Sequence, residues 1–526
     1  MDIYEKIMAL AKRRGLLYPS YSIYGGEAGF YDYGPIGILL KNNIENKWRH
    51  IYLMREKFFE ISTPVITPYK VLKASGHVDK FIDKIATCKK CGASFKIEEL
   101  KDGKCPICGG EVEKSEINLM FETSIGAKKQ EQAFLRPETA QGIFINFPFL
   151  HEFFRKKIPF GIVQIGKGFR NEVSPRQGVL RLREFSMAEA EIFFDPEHKE
   201  HPSFDSIKDK KMNLLPADGK EIEISIGEAV EKKIIGNEAL AYYMAITNEF
   251  LLDVGISREK IRFRQHSKDE LAHYANECWD AEILSNRFGW VECVGIADRA
   301  AHDLEAHTKA TGTDMRIIDK TKKIKKVKIK AKMDKIGKAF KEKSKKIKEA
   351  LENSEVIKDK IIVEIDGEEI EIGKEFFEIE EEEDYRRYIP HVIEPSYGID
   401  RILYSILEHN YKEIKKEGEN YILLSLPPSI APIKAGVFPL VARDGLPDIA
   451  REIEEQLRKN EIMALYDEKG SIGRRYARMD EIGTPFCITV DYQTKEDDSI
   501  TIRFRDTTEQ IRLNKKEVVS WIKEKI

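Results

Sequence analysis

The residues best suited to chemistry lie close together: Phe169-Arg170-Asn171-Glu172 and then, after a short loop, Arg181-Leu182-Arg183-Glu184-Phe185. The spacing predicts two strands facing each other across a turn. The approach strand, residues 160–168, is apolar and glycine-spaced. The return strand alternates, so that Arg181, Arg183, Phe185, Met187, Glu189 and Glu191 share one face by the two-residue period of a strand. Burying arginines and glutamates beside a phenylalanine is costly unless each charge is partnered. An exposed face crossed by surface ion pairs is the plainer arrangement. A ligand floor fits better: arginines for phosphates, an aromatic ring for a base, carboxylates for an ammonium or a metal.

Three further stretches carry similar chemistry. In His391-Val392-Ile393-Glu394-Pro395-Ser396-Tyr397-Gly398-Ile399-Asp400-Arg401 a strand runs into a helix, which puts Glu394 and Ser396 on one face. Arg401 then falls in the first helical turn, where an anion would meet both helix amides and a guanidinium. An arginine is unfavourable there for the helix itself. Leu135 to Gly142 predicts a helix after a strand, with Pro137 at its start and Glu138 in its first turn. The stretch Trp290-Val291-Glu292-Cys293-Val294-Gly295 reads as a strand.

Cys88-x-x-Cys91 and Cys105-Pro-Ile-Cys108, thirteen residues apart, can bring four thiolates round one tetrahedral zinc. Gly92 and Gly109 after the knuckles let backbone amides turn towards the sulfurs. With all four positions filled, the metal is structural. Cys278, Cys293 and Cys487 are scattered and read as ordinary buried residues.

At 526 residues the chain is long enough for several domains, with 42% hydrophobic and 10% aromatic content typical of globular proteins. Charged residues make up 34%, yet the net charge is only −3, so any nucleic-acid site must come from local basic patches. No basic region followed by an apolar stretch opens the chain and no eighteen apolar residues run together, so neither a secretory signal nor a membrane span is expected, and the cytoplasm is. Residues 36–59 carry apolar side chains at helical spacing, and a strand is expected to end at Ser62-Thr63-Pro64. Residues 195–265 read as a smaller insertion. Residues 320–348 hold fifteen lysines against two acids. Val327, Ile329 and Ala331 there suggest a strand, and Met333, Ile336, Phe340 and Ile347 a helix. Contact with RNA backbone is the favoured reading of this run, a solvated basic face the usual one. The acidic residues 378–384 either neutralise those lysines or are solvated. From Tyr421 on, strands at 422–426, 464–466, 486–490 and 500–505 alternate with helices such as 448–459, a compact α/β unit. Gly473-Arg474-Arg475-Tyr476 is expected in a loop, where it suits phosphate contact and base stacking.

Together these patterns resemble the class II aminoacyl-tRNA synthetases. Phe-Arg-x-Glu, a loop, then Arg-x-Phe is similar to their motif 2 (160–194). The helix, strand and proline at 36–64 resemble motif 1, which builds the dimer interface. Residues 389–407 resemble motif 3, generally Gly-x-Gly-x-Glu-Arg, from which the chain departs with Ser396 at the first glycine and Asp400 at the glutamate. That version, with Leu135–Gly142 and Met187-Ala188-Glu189, resembles the dimeric glycyl-tRNA synthetases of archaea and eukaryotes over nearly the whole chain. The resemblance implies an α+β catalytic domain (1–420) built on an antiparallel class II sheet. It carries a zinc-ribbon-like insertion (86–114), a mixed α/β insertion (195–265) and a lysine-rich insertion (310–385) that touches tRNA. A C-terminal α/β anticodon-binding domain (421–526) follows. Glycine, ATP with Mg²⁺ and tRNA(Gly) are the implied substrates, a homodimer the implied assembly, and structural Zn²⁺ the implied metal. By resemblance Arg170 holds the α-phosphate, Glu172 the adenine amino group and Arg401 the γ-phosphate, and these three are the catalytic set. Phe185 stacks on the base; Asn171, Arg181, Leu182 and Arg183 surround the nucleotide; Glu292 carries Mg²⁺ beside Cys293. Arg136, Glu138, Glu189, Glu394 and Ser396 form the glycine site. The rivals are a synthetase for serine, threonine, proline or histidine, and a zinc-containing paralogue that has lost catalysis.

Overall fold

The structure is a computed structural model that describes every residue except 1, 98–99, 101, 129, 174, 176, 272–274, 355–359 and 417–418; for 326–327, 382, 416 and 419–420 it describes the backbone alone. The chain separates into two compact units, one of residues 1–315 with 390–526, the other of residues 316–389.

The site is positioned by a nine-stranded, mostly antiparallel sheet. Its strands are β1 (Phe59–Glu60), β2 (Phe160–Phe169), β3 (Glu184–Phe194), β4 (Lys211–Leu215), β5 (Ile222–Ser225), β6 (Ile261–Gln265), β7 (Glu277–Ser285), β8 (Gly289–Ala300) and β9 (His391–Gly398). Their order is β5-β4-β6-β7-β8-β9-β3-β2-β1. Three helices cover one face: α1 (Pro35–Arg49), continued by a π-helical turn to Arg55, α2 (Glu238–Asp253) and α3 (Ile399–Asn410). Odd-numbered Tyr397 on β9 points into this layer beside Trp48, Tyr52 and Phe250, and its hydroxyl meets those of Tyr52 at 2.9 Å and Thr247 at 2.7 Å. The even-numbered Glu394 and Ser396 must therefore face the other way, towards the cavity. Residues 195–265 supply β4, β5, β6 and α2, whose buried side chains belong to the main core.

Several local expectations are corrected. Only Phe59–Glu60 pairs with the sheet, and residues 61–64 have no regular structure. Strand β3 starts at Glu184, so Arg181 and Arg183 precede it. Val179, Leu180 and Leu182 turn inward through a short 3-10 turn, which breaks the alternation. The helix after Leu135 begins at Ala140, leaving Glu138 ahead of it. Thr139 holds the cap position, but its amide is spent on Glu189 from the neighbouring sheet at 2.8 Å.

In the C-terminal part, β10 (Ala435–Pro439), β11 (Ala464–Tyr466), β12 (Phe486–Val490), β13 (Ser499–Phe504) and β14 (Gln510–Asn514) form a sheet in the order β11-β10-β12-β13-β14. Helices α4 (Leu446–Lys459) and α5 (Ile472–Asp480) accompany it. The strand at 419–424 lies outside this sheet, paired with 411–416 as a hairpin. Gly473 to Tyr476 is not a loop but part of α5. Arg475 is buried, donating to Gly470 O at 2.8 Å and to Pro439 O, and Tyr476 Oη meets Thr489 Oγ1 at 2.7 Å. These two side chains are spent inside the domain, while Gly473 and Arg474 are exposed.

The unit 316–389 pairs strand Ile317–Ala331 with Phe377–Tyr388. The expected single helix is two, Met333–Phe340 and Ser344–Glu352, separated at Lys341, which takes a positive φ of 45°. Ile329, Ile336, Ile347 and Leu351 form its small core; the expected alternation at Val327 lies outside the described side chains. The acidic run neutralises the lysines directly: Lys323–Glu383 at 2.7 Å, Lys325–Glu381 at 2.9 Å and Lys330–Glu380 at 2.7 Å cross the pair. Such exposed pairs each contribute only about 0–1 kcal/mol. Among the described residues no helix is long and apolar enough to cross a membrane.

Candidate active site

On the opposite face of β3, β8 and β9 a cavity of about 300 Å³ opens. Register builds it: Glu189 on β3 lies opposite Ser396 on β9, which lies opposite Gly295 on β8, and Glu394 lies opposite Ala297. Glycine at 295 matters because a Cβ there would project into the open cavity. Ser396 Oγ donates to Glu189 Oε1 at 2.7 Å, and Thr139 N–H to Glu189 Oε2.

At one end, acidic side chains crowd round a single guanidinium that the sequence reading had missed. Arg299, 1% exposed, donates to Glu394 Oε2 at 2.8 Å and to both oxygens of Asp303 at 2.8 and 2.9 Å, and lies 3.9 Å from Glu138. Its signal was available, since residues 293, 295, 297 and 299 recur at strand period along β8. Burial raises the Glu394 carboxyl to about 8; Arg299 opposes this, while Glu189 and Glu138 add to it. Burial, and then Glu138, raises Glu189, and burial with Glu394 raises Glu191 well above the carboxylate range. Burial also opposes the charge on Glu138, but His77 and Arg299 outweigh it and hold that carboxyl low. The acids outnumber their cations, so this end of the cavity is built to receive a positive charge.

The other end is basic and aromatic. The Arg170 guanidinium lies between the Phe185 ring at 5.3 Å and the Phe81 ring at 5.4 Å, and donates to Pro137 O at 3.3 Å. Gly168 makes room for this stack: a Cβ there would stand 2.7 Å from the Phe185 ring. Arg181 Nε donates to Glu172 Oε2 at 2.7 Å. Arg401, near the start of α3, donates to Leu180 O at 3.1 Å and Glu292 O at 2.7 Å, with the Glu292 carboxylate 3.6 Å away. Register explains why Glu292 and its neighbour Cys293 both line the cavity. Ala281 pairs with Val294 and Glu282 with Glu292, so Cys293 is the extra residue of a bulge, which turns the side chains that follow. The Cys293 thiol is pushed up to about 12 by burial.

Arg170, Glu172, Arg181, Leu182, Phe185, Glu292, Cys293, Arg401, Glu138, Glu189, Glu394 and Ser396 thus line one cavity. Three expected residues do not. Arg136 is buried behind β2, its guanidinium on Lys167 O and Thr63 O, both at 2.9 Å. Arg183 turns away to Glu27 at 3.0 Å and Ala28 O at 2.9 Å. Asn171 shares a second cleft with Arg183, its amide donating to Leu119 O at 2.7 Å. Asp400 is a buried bracket between Tyr33 and the Ser186 amide.

The cysteines of the two knuckles converge. Sγ of Cys88 is 3.5 Å from that of Cys108, and Cys91 is 3.7 Å from Cys105. Four sulfurs about 2.3 Å from a tetrahedral metal stand about 3.8 Å apart, so the set fits such an ion. The strand Ile82–Cys88, which ends on the first of them, also reaches towards the site. Ile85 packs with Leu119 and with Val173 of the loop after Glu172. Cys105→Ser should therefore lower bound metal by one equivalent in elemental analysis and raise the nucleotide KM several-fold. Unchanged metal content would contradict a four-thiolate site.

A family model described as "tRNA synthetase class II core domain (G, H, P, S and T)" matches residues 121–410, and one described as "Anticodon binding domain" matches 430–525. Among solved structures, a prolyl-tRNA synthetase from Cryptosporidium parvum aligns over the whole chain and 75% of its own, with a TM-score of 0.55 at 13% identity, a likeness of fold. The glycine–tRNA ligase of Methanocaldococcus jannaschii is 52% identical over all of this chain and 99% of its own. Those of Methanothrix thermoacetophila and Thermococcus sibiricus are each 46% identical, again over all of this chain and 97% and 99% of theirs. With the core fold, the C-terminal domain and near-complete coverage in agreement, this chain belongs to the glycine–tRNA ligase family of class II aminoacyl-tRNA synthetases.

Proposed function

We propose that the chain activates glycine with ATP and passes the glycyl group to the 3′ end of tRNA(Gly), using the side chains that line the cavity. The observation that carries this reading is the buried excess of carboxylates at one end. Glu138, Glu189 and Glu394 outnumber the cations beside them, Arg299 and His77, a deficit that an amino acid's ammonium would fill, and Ser396, pinned by Glu189, fills space next to them. A wall there rejects a larger side chain by clash, where a roomy pocket would discriminate one methylene by only about 1–3 kcal/mol.

Activation is an in-line displacement. A glycine carboxylate oxygen attacks the α-phosphorus, the bond to the bridging oxygen breaks, and pyrophosphate leaves. Arg170 neutralises charge at the α-phosphate, Arg401 at the γ-phosphate, and Glu172 and Phe185 take the adenine, so catalysis is positioning plus charge stabilisation. Arg181, Leu182 and Cys293 frame the nucleotide, Asn171 and Arg183 stand in the neighbouring cleft, and Arg136 braces β2 behind the glycine site. Glu292 offers a hard carboxylate oxygen at the cavity mouth, suited to Mg²⁺, which would supply charge neutralisation between phosphates. Zn²⁺ suits the four thiolates as a structural ion. Residues 421–526 are assigned to anticodon binding, and lysines of 316–389 left outside the cross-strand pairs to RNA backbone.

A homodimer is the assembly proposed, through the motif 1 side of the sheet. Strand β1 is an edge strand, and near it Phe59 and Phe153 stack edge-on at 5.4 Å while each stays more than half exposed. An apolar edge of this kind calls for a partner. The cytoplasm is the proposed location.

Pyrophosphate exchange with ATP and single amino acids tests the reading. Exchange with glycine alone is expected; exchange with serine or alanine but not glycine overturns it, and no exchange at all favours a paralogue without catalysis. A pH effect accompanies it. With Glu394 raised to about 8 the empty site holds a proton at pH 7, and a bound ammonium favours its loss. Glycine binding should release a proton below pH 8 and strengthen as pH rises towards 8, by at most about tenfold per unit. Calorimetry at pH 7 in buffers of different ionisation enthalpy reads this; zero proton release contradicts it.

A further inference from the structure

We propose that the same cavity carries a second metal site, a zinc ion held by His266, Cys278 and Asp280. All three line the cavity, and one donor atom from each lies within 4.8 Å of the others. The frame is rigid. Cys278 and Asp280 are two apart on β7 and so point to one side. His266 follows β6, and its amide donates to Cys278 O at 3.0 Å, which sets the imidazole directly across from the thiol.

The donors are also short of partners. His266 Nε2 meets Asp280 Oδ2 at 2.8 Å, but Nδ1 is buried with no hydrogen-bond partner among the described residues. Cys278 Sγ has none among the described residues. Arg264 reaches Asp280 Oδ2 at 3.0 Å, yet it is shared with Glu270 at 3.0 Å and Glu282 at 3.3 Å.

Imidazole, thiolate and carboxylate together select zinc over magnesium, which takes oxygen donors only. Three protein donors leave a fourth position towards the cavity, the pattern of sites that hold an exchangeable water. The four-cysteine cluster has no such opening. The two sites therefore differ in donor set and in access.

The full chain, equilibrated with excess Zn²⁺ and desalted, should retain two equivalents by elemental analysis. Cys278→Ser and His266→Asn should each retain one, as should Cys105→Ser. In the cobalt-substituted protein, Cys278→Ser should remove one thiolate's charge-transfer absorption and leave that of the four-thiolate site. Wild-type protein holding one equivalent overturns the proposal, as does either cavity variant still holding two. Circular dichroism melting confirms that each variant is folded, with His266→Asn serving if Cys278→Ser is not. Because metal is counted directly, a negative result leaves the glycine-activation reading intact.

Discussion

Arg299→Met should abolish glycine activation and destabilise the fold together. The guanidinium is fully enclosed and bonded to Glu394 and Asp303, with Glu138 within reach. Removing one partner of a buried ion pair costs about 3–5 kcal/mol, because the remaining carboxylates keep their desolvation cost and lose their attraction. Asp303 would then take up a proton. Arg299 is what lowers the Asp303 carboxyl against its burial, so that carboxyl should rise furthest. With Arg299 gone, Glu394 holds its proton more tightly and is displaced, so an ammonium loses its partner, and misplacement of about 1 Å costs on the order of 10²-fold in rate. Denaturant unfolding and pyrophosphate exchange measure the two effects. Arg299→Lys should recover part of the stability and little of the activity, since an ammonium cannot span both carboxylates. A variant with wild-type stability would show that Asp303 is not held charged by this residue.

The second large effect is on the nucleotide. Arg170→Ala is expected to lower kcat for glycine-dependent exchange by about 10²–10³-fold, the usual loss when one charge-stabilising donor is removed. Its melting temperature should stay near wild type, because the side chain is only half-buried and its hydrogen bond to Pro137 O is long. The ring stack adds a diagnostic. The guanidinium separates Phe81 from Phe185, so its loss lets Phe185 move and should raise the ATP KM as well. Arg170→Lys keeps the charge but not the flat surface, and should restore kcat more than KM. If Arg170→Ala left both constants unchanged, the α-phosphate role would be excluded.

Local pattern made much of this molecule legible. Apolar, glycine-spaced residues 160–168 could only be an inner strand, and the two-residue period placed Phe185, Met187, Glu189 and Glu191 on one side. The Cys-x-x-Cys spacing alone brought four sulfurs together, and Ser396 was set beside Glu394 by the same period that turned Tyr397 into the core. Each of these depends on neighbours a few residues away.

What the chain alone left open depends on partners far along it. Arg299 could not be ranked above other arginines until β8 was laid beside β9 and brought Glu394 to it. The bulge at Cys293, which sets the path of Glu292, arises only in pairing with β7. Arg183 obeyed the alternation on paper but was drawn away by Glu27, 156 residues earlier, and Arg475 looked exposed until α5 packed it against Pro439. The lysines at 323, 325 and 330 likewise read as free charge until the strand carrying the acidic run paired with theirs. Periodicity chooses the face on which a side chain stands, because that is backbone geometry; register and burial choose its partner, because those energies exist only once distant segments meet.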